Sequence, residues 1–273
     1  MEKLEEYYRY SRSVKLGLEV KNEQLLREAL EIKIPNNMEK KPEKYAKWLS
    51  SRAMVFTKFG EYENAIAEYM KGYKYCPEQN RWEYCLNWAA SHIAPICGSA
   101  DGKTRIEYAK KGLAALRLSI AERYMGRYPQ QVQSSISNLQ AYLNVIAGDK
   151  KKALSALRVS SRTTTPHEFF ETSECNVYLA HIGKGVVASI ELKNGDLLKE
   201  IIINGFGLQN LNRKIIKPYE ILVNMVSQNI KEILAEFEAL FTMNNLNVHF
   251  PNSKKFFSYY QEQDKNKMEK YFQ

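Results

Sequence analysis

The chain is poor in the residue patterns that carry enzyme chemistry. Its four cysteines, Cys76, Cys85, Cys97 and Cys175, form no CxxC pair and no zinc spacing. With no signal-peptide pattern at the start, they are expected to be reduced, mostly buried thiols of a cytoplasmic protein. The four histidines, His92, His167, His181 and His249, lie far apart, and no HExxH occurs. His167 and Glu168 are adjacent, so on a helix their side chains point apart. No GxSxG nucleophile elbow is present. Gly205-x-Gly207 lacks the third glycine and the preceding strand that a phosphate-binding loop requires. Val186 to Ile190 is the nearest approach to a membrane span, and Glu191 and Lys193 soon break it. No catalytic residue, metal ligand or cofactor is expected, and the chain reads as non-enzymatic.

Breaks are scarce as well. Only 13 glycines and 8 prolines interrupt 273 residues of which 44% are hydrophobic, which excludes global disorder. The formal charge is 40 − 31 = +9, with acids and bases interleaved and no arginine-rich block. Such an excess favours acidic partners without identifying one. No segment alternates as a strand would. Ile201-Ile202-Ile203, the one β-branched run, sits inside a helical pattern. The class is all-α.

The best-ordered stretch runs from Ala46 to Pro77. Ala53 and Phe56 precede Gly60 by seven and four residues, and Ala65, Tyr69 and Gly72 follow at steps of four and three. That spacing predicts two amphipathic helices, 43–58 and 62–75, meeting at a tight turn and closed by Pro77. Ala141 to Gly148 repeats the step, with Ala153 and Leu157 in the places of Ala65 and Tyr69. Ala188 to Gly195 repeats it again, with Glu200 and Asn204 in those places. The three glycines are separated by 148 − 60 = 88 and 195 − 148 = 47 residues, so the array is irregular.

Further helices are expected at 4–20, 23–32, 80–93 and 104–124, with connectors at 35–42, 125–129 and 160–165. Thr165-Pro166-His167-Glu168 reads as a helix start with Thr165 as cap, leading into 169–182. Residues 186–192 are expected to turn at Lys193-Asn194-Gly195 into 196–204, and 218–226 with 230–241 to form a last pair. Phe256-Phe257-x-Tyr259-Tyr260 is expected to dock on the body, and 261–273 to fray. The expected division is an N-terminal array of hairpins at 1–165, C-terminal hairpins at 166–243 packed on the same array, and a partly ordered tail at 244–273.

Ala65-x3-Tyr69 and Pro77, with Ala53, Phe56 and Gly60, make 46–77 resemble a tetratricopeptide repeat, a helix–turn–helix unit of about 34 residues. Leu49 and Arg52 stand where that repeat prefers Trp and Leu. The resemblance implies an irregular stack of antiparallel helical hairpins, a tetratricopeptide-like α-solenoid that binds a protein on its inner face. Residues opposite Ala53/Phe56 are Lys47, Ser50, Met54 and Lys58; in the second unit they are Ser135, Asn138, Tyr142 and Ile146. Lys47, Met54, Lys58, Asn138 and Tyr142 are therefore the candidate partner-binding residues. Some tetratricopeptide domains clamp a peptide carboxylate with inner-face Lys and Asn. Here Ser50 and Met54 occupy two of those places, so such capture is not expected.

The short degenerate hairpins with Gly148-Asp149 and Gly195-Asp196 turns, together with the pair 218–241, also resemble an all-helical family of bacterial immunity proteins of polymorphic toxin systems. That resemblance implies a cytoplasmic protein that blocks one cognate toxin by direct binding, with an acidic toxin face suiting a basic chain. The alternatives are a general peptide-binding adaptor or regulator, and a nucleic-acid-binding factor. The last would use Lys103, Arg105, Lys110, Lys111, Arg117, Arg123 and Arg127 with Lys150-Lys151-Lys152. Against it, those charges are spread around their helix. The oligomeric state is not legible.

Overall fold

A computed structural model describes residues 22–34, 38–99, 101–121, 129–166, 172–205, 250–262 and 264–273, together with Tyr10, Val14, Gly17, Lys217 and Glu220. Among the described residues the chain is helical and contains no strand. No helix there is long and apolar enough to cross a membrane. The pair expected at 218–241 falls largely outside these residues. The chain divides into two units, 1–95 with 114–124, and 96–113 with 125–273.

The first unit contains α1 (Glu23–Glu31), α2 (Pro42–Lys58), α3 (Tyr62–Tyr73) and α4 (Arg81–Ser91). Asn22 caps α1 by accepting from the Leu25 amide at 3.1 Å. Pro42 opens α2 in the first turn, where its missing N–H costs nothing. Two sides of α2 are buried. Tyr45, Trp48, Leu49 and Val55 join Tyr10, Val14, Leu26, Ala29 and Met38 in one cluster, with the Tyr10 and Trp48 rings stacked at 4.0 Å. Ala46 and Ala53 join Ala65, Tyr69, Cys76 and Tyr84 in another, against which Phe56 packs. Arg52 is itself a tie. It bridges Glu68 of α3 at 3.1 Å, donates to the Leu30 carbonyl of α1 at 2.8 Å and lies over the Phe56 ring. A leucine there could make none of those bonds.

α5 (Ile93–Gly98) and α6 (Gly102–Ala121) follow in sequence. Pro95 sits in the first turn of α5 and is accommodated there. Asp101 accepts from the Thr104 amide at 2.8 Å and from its hydroxyl at 2.7 Å at the start of α6.

The second unit holds α7 (Pro129–Ile146), α8 (Lys150–Thr163), α9 (Thr172–Glu191), α10 (Gly195–Gly205), α11 (Pro251–Gln261) and α12 (Lys265–Lys270). α7 packs on α8 and α9, and α10 packs on α9 and α8. The expected boundary between 165 and 166 therefore falls inside this unit. α9 continues through Gly183 and Gly185, where two helices were expected. Gly185 serves approach and not a turn, because a Cβ there would lie 1.8 Å from the Asn138 side-chain oxygen. The stretch 160–165, expected as a connector, carries α8 to Thr163. Ser160 donates to Asn138 at 2.7 Å inside the unit, and the Thr164 and Ser134 hydroxyls lie 2.8 Å apart. The Thr165 hydroxyl is buried without a hydrogen-bond partner among the described residues, and the helix start expected after it lies outside them. His167 and Glu168 lie outside them.

Residues 261–273 were expected to fray. Instead Asp264 caps α12 through the Lys267 amide at 3.0 Å, and Met268 and Tyr271 are buried, the latter donating to the Ile190 carbonyl at 3.2 Å. Phe256, expected to dock, is buried with Phe257 and packs on Tyr271 and Phe272.

Three helix pairs, α2/α3, α7/α8 and α9/α10, are joined by one and the same turn. In each the first helix ends on a left-handed residue: Gly60 (φ 75°), Gly148 (φ 79°) and Lys193 (φ 53°). The next amide reaches back five residues, from Glu61 to Phe56, Asp149 to Asn144 and Asn194 to Ser189, each at 2.9 Å. The third turn thus lies within the expected Lys193-Asn194-Gly195, but its left-handed residue is Lys193, two residues before the Gly195 that ends the expected step. In this register Val186 replaces Ala188 as the partner of Ala53, and Leu198 and Ile202 replace Glu200 and Asn204. All three are fully buried. The third pair is as well formed as the others.

These turns give a paired expectation for stability. Gly148 has open space around a would-be Cβ, so Gly148→Ala adds only backbone strain and should cost about 1–2 kcal/mol in urea unfolding. Lys193→Gly should raise stability by about 0.5–1 kcal/mol, because it removes the same strain from the third turn.

Candidate functional site

With two sides of α2 buried, one strip of that helix stays open. Glu43, Lys47, Ser50 and Met54 stand on it at steps of four, three and four, and they line a groove of about 280 Å³. Across the groove Asn80, Glu83 and Asn87 line the facing wall at the start of α4 and along it. Cys76-Pro77 lies between, with Ala46 and Tyr84. Pro77 thus both ends the preceding turn and borders the site.

Tyr84 is held in place by a vacancy on α3. A Cβ on Gly72 would lie 2.0 Å from the Tyr84 hydroxyl. The freed space lets Tyr84 donate to the Tyr69 carbonyl at 3.1 Å and meet the Tyr69 ring edge-on at 5.6 Å. Burial raises both phenols above the ordinary tyrosine range, and a Ser50 hydrogen bond partly offsets this for Tyr69. Burial likewise pushes the Cys76 thiol up to about 11, so at neutral pH it is a protonated lining group and not a nucleophile.

The structure brings together Lys47 and Met54 of the sequence-predicted residues, with Ser50 between them. Lys58 is exposed beyond the groove. Asn138 and Tyr142 are not on a surface. Asn138 is fully buried in the hydrogen-bonded contact of α7 with α8, and Tyr142 packs on Phe250 with ring centroids 5.2 Å apart. Both positions serve the interior because α7 is covered by α8 and α9. Of the basic stretch, Arg105 is buried and bonded to the Ser99 carbonyl, while Lys111 pairs with Glu107 at 3.0 Å. Lys103, Lys110 and Arg117 are exposed; Arg123 and Arg127 lie outside the described residues.

Glu43, Asn80, Glu83 and Asn87 were missed. On α4, Cys85, Leu86 and Ala89 form the buried apolar face. The polar complement of that face, placed opposite the Lys47/Met54 strip, is where the remaining lining residues sit.

Outside the groove, two buried titratable groups stand out. Glu191 accepts from the Ser253 amide at 2.8 Å and the Ser253 hydroxyl at 3.0 Å, anchoring the start of α11 to α9. Burial raises its carboxyl above the ordinary range, against those hydrogen bonds. His181 is buried, and its Nδ1 has no partner among the described residues. Burial, and then the Lys184 charge, hold His181 well below 6.5. No group of three metal-ligating side chains occurs among the described residues.

His181 predicts a pH dependence with a definite sign. The unfolded chain takes up a proton below pH 6.5 that the folded chain refuses, so this contribution to stability is full above pH 6.5 and is lost as pH falls. The loss should approach about 1.4 kcal/mol per pH unit. Glu191 acts oppositely between 4.5 and its raised value, so the parent must be compared with His181→Phe. Urea unfolding at pH 7.5 and 5.5 should show a stability drop in the parent that is smaller by about 1 kcal/mol or more in the variant.

No protein-family model, no curated protein and no solved structure matches the chain.

Proposed function

We propose that this chain is a non-enzymatic protein-binding module of tetratricopeptide-like type, its helix pairs stacked as antiparallel hairpins. The groove between α2 and α4 takes up a segment of a protein partner. The observation that carries this reading is the open strip of α2, on which Lys47, Ser50 and Met54 face Glu83 and Asn87 of α4 across about 280 Å³. Hydroxyl, amide, charged and thioether groups converge there from two helices with buried backs. That mixture suits peptide backbone and side chains, with polar groups for orientation and an apolar spot for contact.

The most concrete form of the reading is a cytoplasmic immunity protein that neutralises a cognate bacterial toxin by direct binding, without turnover. A general peptide-binding adaptor is the runner-up. Nucleic-acid binding draws less support, because the basic stretch loses Arg105 to the interior and Lys111 to an ion pair.

Capture from the native cell tests the reading. Full-length parent should retain a protein that Lys47→Glu/Met54→Arg loses by at least tenfold, about 1.4 kcal/mol. Lys58→Glu, outside the groove, should retain it. Equal retention by parent and double variant would remove the groove from the binding surface. For the immunity form, co-expression with a toxin-like neighbouring reading frame should restore growth; an unrelated metabolic neighbour would sink it.

A further inference from the structure

The second unit carries a face of one charge. From Pro129 to Thr163, through α7, its turn and α8, the sequence has a single acid, Asp149, against Lys150, Lys151, Lys152, Arg158 and Arg162. α7 holds no charged residue at all. α8 buries Ala153, Ala156, Leu157 and Ser160, and its cations lie on the opposite side. Two of the five are offset. Lys152 pairs with Asp149 at 2.7 Å, and Lys150 acts electrostatically on Glu191. Lys151, Arg158 and Arg162 are exposed and have no ion-pair partner among the described residues. Ser155 and Val159 are exposed in the same strip, Val159 at 39%. Helical spacing keeps these five residues on one side of α8 over about 16 Å. α10, which packs on α8, adds Asp196, Lys199 and Glu200. With all three counted, four cations still stand against two carboxylates.

We infer that this face of α8 is a second docking surface, and that its occupant is an acidic segment of a protein, in which carboxylates flank an apolar side chain. It uses none of the groove residues and stands or falls apart from the groove reading. Arg158 and Arg162, one helical turn apart, offer planar forks of N–H donors that match carboxylates bidentately. Val159, beside Arg158 and one step round the helix, takes the apolar side chain. Lys151, about 10 Å along the helix from Arg158, adds a point charge for a further carboxylate. A nucleic acid fits the strip less well. The strip has no aromatic ring to stack on a base and no Asn or Gln to read one, and phosphates gain nothing from Val159. An anionic membrane fits less well too, because one valine is too little apolar surface to insert.

The experiment separates this face from net charge. Two capped peptides of equal length place leucine at every fourth position, one among glutamates and the other among glutamines, and both carry a neutral rhodamine label. Binding to the full-length chain is read by fluorescence anisotropy at about 150 mM salt, where charges more than about 8 Å apart are largely screened. The parent should prefer the glutamate peptide by at least tenfold. Arg158→Gln/Arg162→Gln should abolish the preference, and Val159→Ser should weaken binding of the glutamate peptide by about threefold. Lys58→Gln/Lys74→Gln removes the same charge from exposed positions of the first unit and should keep the preference. No binding, no preference, no effect of Val159→Ser, or equal losses in the two double variants overturns the inference. A preference that survives Arg158→Gln/Arg162→Gln and is lost in Lys47→Glu/Met54→Arg overturns it too, while leaving the groove reading standing. Tighter binding of a short random-sequence DNA duplex, lost in the arginine variant, gives the face to nucleic acid and overturns it as well.

Discussion

The structure depends on one backbone event repeated three times: a helix gives way to a left-handed residue, and the second residue after it begins another helix. At Gly60, Gly148 and Lys193 the positive φ turns the chain within two residues. The amide after each closes the same back-bond at 2.9 Å. So short a link leaves no loop to adjust the geometry. The consecutive helices must bury their facing sides against each other directly, and what fills the contact follows from the turn. Counting from the left-handed residue, the position seven before is Ala53, Ala141 or Val186, and the position five after is Ala65, Ala153 or Leu198. All six are buried. Where the pair is Ala with Ala the helices can approach closely, and where it is Val with Leu the same space is filled by larger aliphatic groups.

From that arrangement the groove follows by subtraction. α2 has one buried side toward the cluster of Tyr10, Leu26 and Ala29, and another toward Ala65 and Tyr69. A helix has room for about one further strip, and Glu43, Lys47, Ser50 and Met54 occupy it. Its polar character is what a solvent-facing strip requires. Its concavity comes from α4, which reaches the far wall only because Gly72 leaves room for Tyr84. Asn138 and Tyr142 show the contrast. They stand where α7 faces its own neighbours, and a polar pattern on such a helix forms an internal network with Ser160, Ser134 and Thr164.

Much of this was legible in the residues, for identifiable reasons. Helical class, the first two turns and the contact positions of 46–77 follow from a 3.6-residue period punctuated by glycine, and they hold in the structure. The third turn was placed at Lys193-Asn194-Gly195, but the register of its step was off by two residues because the step was counted to Gly195. Lys193 holds the left-handed conformation, with Asn194 accepting from the Leu197 amide at 3.0 Å. The asparagine cap was the available signal, and buried Leu198 and Ile202 fit only the register it sets. The continuity of α9 was hidden likewise: two helices were expected at 169–182 and 186–192, while Gly185 between them serves close contact with Asn138. Lys47 and Met54 were found from one helix alone. Glu43, Glu83 and Asn87 needed the second wall, and single-helix periodicity does not reveal which strip of a neighbour lies opposite.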